Sequence, residues 1–157
     1  MTDPTPTPGS ASRLREARER AGLSLADLVA RVGLTESYWS DAETDDTEIT
    51  GNISLAVISV FCGVAGISSQ HLLFGSEIPI PSPDRDFSDL SDALNDRITG
   101  EQLTVPEASQ LVGWELRDVL IDSSEFWNFT VDGLRDTCGF AGISWPAILP
   151  LLDATPE

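Results

Sequence analysis

Apolar residues recur along this chain at spacings of three and four, in short runs broken by Gly or by Ser and Thr. Leu14, Ala17 and Ala21 line one face of a helix that ends near Gly22. Leu25, Leu28, Val29 and Val32 line a second, stopped at Gly33. Thr35 caps a third that runs to Ala42, with Tyr38 and Trp39 on its apolar side. A fourth runs from Leu55 to Ala65 and a fifth from Ser69 to Phe74. No segment alternates with the period of two that a half-buried strand needs. The pattern predicts an all-α fold.

The same punctuation returns further on. Cys62-Gly-Val-Ala-Gly-Ile-Ser68 is echoed by Cys138-Gly-Phe-Ala-Gly-Ile-Ser144, and Leu23-Ser-Leu-Ala-Asp27 by Leu103-Thr-Val-Pro-Glu107. Ser24 and Thr104 each stand three residues before an acid, the capping-box spacing, and Pro106 falls in a first turn, where a missing N–H costs nothing. Gly33 and Gly113 close the two short helices that follow. These matches predict two tandem copies of one five-helix unit, residues 12–75 and 86–153, after a disordered Pro/Thr tail at 1–11. A Pro-rich spacer, 76–85, separates them.

Charge changes what such a chain can bind. Among 157 residues there are nine arginines, no lysine and 26 acids, a net charge of −17. A surface of that sign repels nucleic acid and anionic lipid and attracts basic partners. Adaptation to salt and simple solubility are the competing explanations. The N-terminus has neither a positive start nor an apolar stretch, and the apolar run Ile53–Ile67 is too short to cross a bilayer. The expectation is a cytoplasmic protein with no membrane contact.

The layout resembles the Cro/C1-type (XRE-like) helix-turn-helix family. The residues that carry the resemblance are Leu14 to Ser24, Leu28 to Leu34, Thr35-Glu-Ser-Tyr-Trp-Ser40, Val64-Ala-Gly-Ile-Ser68 and Leu72-Leu-Phe-Gly75. It implies an Arg on the first helix braced against a Glu ending the third, here Arg18 and Glu43. Ile98 and Ser123 hold those places in the second copy, where the brace is lost. The resemblance also implies that the third helix presents its outer side chains to a partner, which in a reader of this kind is the DNA major groove.

In that position, however, residues 35–48 contain Glu36, Asp41, Glu43, Asp45, Asp46 and Glu48 and no base. A carboxylate ~4 Å from a phosphate costs about 1 kcal/mol even in water. Five of them, with Glu43 set aside for the brace, would offset much of the ~4–10 kcal/mol by which specific DNA sites outcompete others. The second copy offers Glu115, Asp118, Asp122 and Glu125 against Arg117. A basic protein partner is therefore expected at Glu36, Ser37, Ser40, Asp41, Asp45, Asp46, Glu48, Glu115, Asp118 and Asp122, in the manner of an antitoxin, an anti-repressor or a DNA mimic. Phe126, Trp127 and Phe129 either anchor that partner or bury as a satellite core.

The alternative is a DNA-binding regulator with Arg13, Arg15 and Arg20 on phosphates. Against it, Glu16 is spaced to pair with Arg20 on the same helix. A homodimer is a further option, burying apolar surface. Cys62 and Cys138 fall inside apolar helices and read as small hydrophobes, with a disulfide open to them only if the copies pack face to face. No metal-ligand spacing, nucleophile–base pairing or phosphate loop stands in the sequence, so neither cofactor nor enzymatic activity is expected.

Overall fold

The computed structural model describes residues 5–76 and 86–153, and among these residues the chain is all-α with no strand. The first half contains α1 (Ser10–Arg20), α2 (Leu25–Arg31), α3 (Glu36–Ala42), α4 (Asp46–Gly51), α5 (Leu55–Ala65) and α6 (Ser69–Phe74). The second contains α7 (Phe87–Gly100), α8 (Val105–Val112), α9 (Arg117–Ile121), a 3₁₀ turn at Ser123–Asn128, α10 (Val131–Ala141), a 3₁₀ turn at Trp145–Ile148 and α11 (Pro150–Asp153).

Local chemistry sets the boundaries. Ser24 and Thr104 accept from the N–H groups of Asp27 and Glu107, whose carboxylates accept in turn from the cap N–H groups. Ser54 and Thr130 cap α5 and α10 in the same way, without the return bond. Residues 21–30 and 101–110 follow one burial sequence, in which Leu28 and Ala108 are the fully buried positions. Between α1 and α2 the chain turns through Gly22 at φ 74°, and Gln102 takes a similar φ of 56° at the matching point. That conformation favours glycine, so the second turn carries local strain.

One hydrophobic cluster runs through both halves, from Leu14, Leu28 and Trp39 to Leu94, Phe126, Leu134 and Trp145. Trp39 stacks on Phe61 at 5.6 Å, and Phe74 meets Trp145 across the halves at 5.4 Å. The seam is also hydrogen-bonded. Ser54 and Thr130 form an antiparallel bridge, and the Leu55 N–H donates to the Phe129 carbonyl at 2.8 Å. Ser59 Oγ donates to the Leu152 carbonyl at 2.7 Å, and the Ser69 N–H to Asp153 Oδ1 at 2.7 Å. α11 and the 3₁₀ turn 123–128 pack on α5, and α10 packs on α4. Burying a large apolar side chain stabilises by about 1.5–3 kcal/mol, so a continuous cluster ties the stability of each half to the other.

Several expectations change. Residues 7–11 of the supposed disordered tail are tied down, and α1 already begins at Ser10. The Thr7 N–H donates to the Leu73 carbonyl, while Gly9 and Ala11 donate to the two oxygens of Asp46. Pro and Thr do favour extended chain, but these donors find fixed acceptors nearby. The stretch after α3, to which the apolar pattern assigns no helix, winds into α4, capped by Asp45. Phe126 and Phe129 are buried and form an edge-to-face pair at 5.1 Å, and Trp127 meets Phe87 edge-on at 5.0 Å. Phe126 and Phe129 are core rather than anchors for a partner, and Trp127, half-buried, packs against that core. Cys62 and Cys138 are buried with no disulfide between them, and burial pushes the Cys62 thiol up to about 12. Most of the expected spacer, 77–85, lies outside the described residues, as do 1–4 of the tail.

Candidate functional site

The unit α2–turn–α3 is rigidly mounted. Gly33 at φ 109° and Leu34 at φ 65° turn the chain, and Thr35 Oγ1 then caps α3 by accepting from the Tyr38 N–H. Trp39, fully buried, donates from Nε1 to the Gly33 carbonyl at 2.7 Å, which locks helix and turn together. At the far end Arg18 grips Glu43 through Nε and Nη2 at 2.7 and 2.9 Å, and Nη1 reaches the Leu23 carbonyl. The expected brace is present, and the Glu43 hydrogen bonds raise the Arg18 pKa further. With its inner face fixed, α3 presents Glu36, Ser37, Ser40 and Asp41 to solvent.

The acids and arginines sort differently from expectation. Asp46 belongs to the scaffold: bonds from the Gly9 and Ala11 N–H groups hold its carboxyl below the ordinary aspartate range. Asp45 and Asp122 remain exposed but serve as caps, and each is held below its usual value by bonds from Thr47 and Ser124 respectively. Glu48 is half-buried on α4.

Arg13 is no phosphate contact, because its guanidinium donates to the carbonyls of Leu72, Leu73, Thr7 and Pro8. Arg15 pairs with Glu19 at 3.0 Å, in place of the expected Glu16–Arg20 pair. Arg20 and Arg31 are exposed. Of the four arginines on α1, Arg13 and Arg18 are internal clamps, while Arg15 and Arg20 are exposed.

In the second half Ile98 is buried where Arg18 stands in the first, and Ser123 opens a 3₁₀ turn. A different bond ties α9 inward: buried Ser91 Oγ donates to the Val119 carbonyl at 2.7 Å. Glu115, Arg117, Asp118 and Asp122 are exposed as expected. Sequence reasoning missed the apolar residues beside them. Ile121 is 77% exposed and Leu111 67% exposed. The signal lay in the eighty-residue register, which sets them against Asp41 and Arg31 of the first half.

Residues 11–72 match the family model of a helix-turn-helix domain. The matched segment runs from α1 through most of α6, and within it α2 and α3 are joined by the tight turn at Gly33 and Leu34. No curated protein and no solved structure matches the chain. No helix among the described residues is long and apolar enough to cross a membrane, and no cluster of three metal-binding side chains occurs among them.

Proposed function

We propose that this chain is a non-enzymatic regulatory protein of the Cro/C1 (XRE-like) type. Its second half is a diverged copy of the first, and its two outer helix faces bind a basic protein in the cytoplasm. The observation that carries this reading is the sorting of charge around α3. Arg13 and Arg18 are held by carbonyls and a carboxylate and exposed Arg15 pairs with Glu19, while Glu36 and Asp41 stand exposed on the outer face. Even with Asp46 removed from the account, four carboxylates (Glu36, Asp41, Asp45, Glu48) cost roughly 4 kcal/mol against nearby phosphates at water's dielectric constant. A cationic protein gains from the same field in both affinity and encounter rate. The paired cap positions, the shared burial sequence of 21–30 and 101–110, and the repeated Cys-Gly-x-Ala-Gly-Ile-Ser phrase support duplication.

A second reading, DNA binding, draws on the helix-turn-helix match itself and on exposed Arg20 and Arg31. The two are separated by one pair of measurements on the full chain at about 50 mM salt, where phosphate contacts are strongest. A mobility-shift series with genomic fragments is expected to show no complex. Capture of basic proteins from a lysate of the source cells is expected to be lost at high salt and on Glu36→Lys with Asp41→Lys. A saturable DNA shift for the wild-type chain would overturn the protein-binding reading.

A further inference from the structure

Between the start of α8, the end of α9 and Asn95 of α7 lies an open cleft of about 770 Å³. This is within the ~300–1,000 Å³ over which protein pockets take up ligand groups. Val105, Pro106, Leu120 and Ile121 give it apolar walls, and Glu115 and Asp118 stand at its edge with Arg117. In the eighty-residue register its apolar residues Leu120 and Ile121 stand against Ser40 and Asp41 of the first half, both exposed and polar. An isoleucine that is 77% exposed beside such a cleft marks a contact surface more than a solvated helix end.

Charge decides the occupant. Among the residues lining the cleft, the exposed carboxylates of Glu115 and Asp118 outnumber the one cation, Arg117. Nucleic acid is repelled by that rim and finds apolar walls where it needs donors. A second copy of the chain, itself at −17, would bring acid against acid. What fits is a segment with apolar side chains on one face and positive charge beside it.

We propose that this cleft seats the apolar face of a basic amphipathic helix from a partner protein, with its lysines or arginines over Glu115 and Asp118. The inference rests on the reading that the partner is a basic protein, and it locates the contact in the second half. The first helix-turn-helix unit then supplies long-range attraction, and the second supplies the pocket.

The test uses the full chain and a fluorescent peptide of about four helical turns built from Leu and Lys in amphipathic order. An oligolysine of equal charge is the control. Anisotropy is expected to show the amphipathic peptide binding at least about tenfold more tightly than oligolysine. Ile121→Asp, which installs the first half's residue type at an exposed site, is expected to erase that advantage. Glu115→Gln with Asp118→Asn is expected to weaken binding about three- to tenfold and to flatten its salt dependence. Amide shifts in the NMR spectrum should centre on Val105, Leu120 and Ile121.

Equal binding of both peptides, or shifts centred on α3, overturns the cleft while leaving the acidic-face reading intact. No binding of either peptide overturns both. A wild-type dimer that Ile121→Asp dissociates overturns the cleft as a partner site, since the occupant is then a second copy. Unchanged circular dichroism and melting temperature for each variant exclude unfolding as the cause.

Discussion

Arg18 and Glu43 are 14% and 7% exposed at their side chains, so neither charge is fully repaid by water. Removing one partner from a buried pair costs more than the pair contributes, because the other charge is stranded. Arg18→Met should therefore lower stability by about 3 kcal/mol, and adding Glu43→Leu should recover most of the loss. Urea unfolding of the two variants checks this, and equal destabilisation of both would disprove it. Asp46 makes a prediction in pH. Its folded pKa lies below the unfolded value near 3.9 because two N–H groups favour the carboxylate. The stability it adds is present above that value and is lost as the pH falls through the depressed folded pKa. Asp46→Ala should cost about 1–2 kcal/mol at neutral pH, with the gap from wild type closing on the acid side of pH 4. Urea midpoints measured down the acid limb would show it. The Arg18–Glu43 brace is expected from the family resemblance, but the bonds of Asp46 and Arg13 are not legible in the sequence: Asp46 and its donors lie 35 and 37 residues apart, and Arg13 reaches carbonyls 59 and 60 residues away.

At the scale of elements, helix starts and stops were largely readable because they are local. Ser24 with Asp27, Thr104 with Glu107, and Gly33 announce themselves within a few residues. α4 was not readable, since its only signal is an Asp45 cap inside a run of acids that looks like a solvated loop. α10 hides a subtler feature at Gly133. A Cβ built there would lie 2.9–3.0 Å from the Trp114 ring, which itself stacks on Phe129 at 5.4 Å. The first half has Val57 at the corresponding point, so glycine in α10 makes room for an indole that the first half does not carry. In an unobstructed helix Gly→Ala stabilises by about 0.5–1 kcal/mol. Gly139, six residues on, is exposed with nothing within 4 Å of its would-be Cβ. Gly139→Ala should thus raise stability by about 0.5–1 kcal/mol. Gly133→Ala should lower it by about 1–3 kcal/mol through overpacking. Thermal melts of the two variants should move in opposite directions, and movement in the same direction would show that Trp114 yields easily.

For the whole molecule, the sequence repeat speaks of two units while the packing joins them. Leu55 donates across the seam to Phe129, Ser59 to Leu152 and Ser69 to Asp153, and the apolar cluster has no break between halves. Such contacts join residues far apart in sequence and leave no local trace, so a repeat reads equally well as two beads or as one body. Two independent domains would melt separately; a shared core should melt once. The full chain is therefore expected to unfold in one calorimetric transition, with a van't Hoff enthalpy equal to the calorimetric one and a heat-capacity change of about 2 kcal/mol/K. A fragment ending at residue 76 would expose the α5 surface that α11 and the 3₁₀ turn cover. It should lack a cooperative transition and bind a hydrophobic dye. Added salt should raise the melting temperature of the intact chain by screening the repulsion of a net −17. Two resolved transitions, or a fragment that melts as sharply as the whole, would show that the halves are stable apart and that the seam is a contact between finished domains.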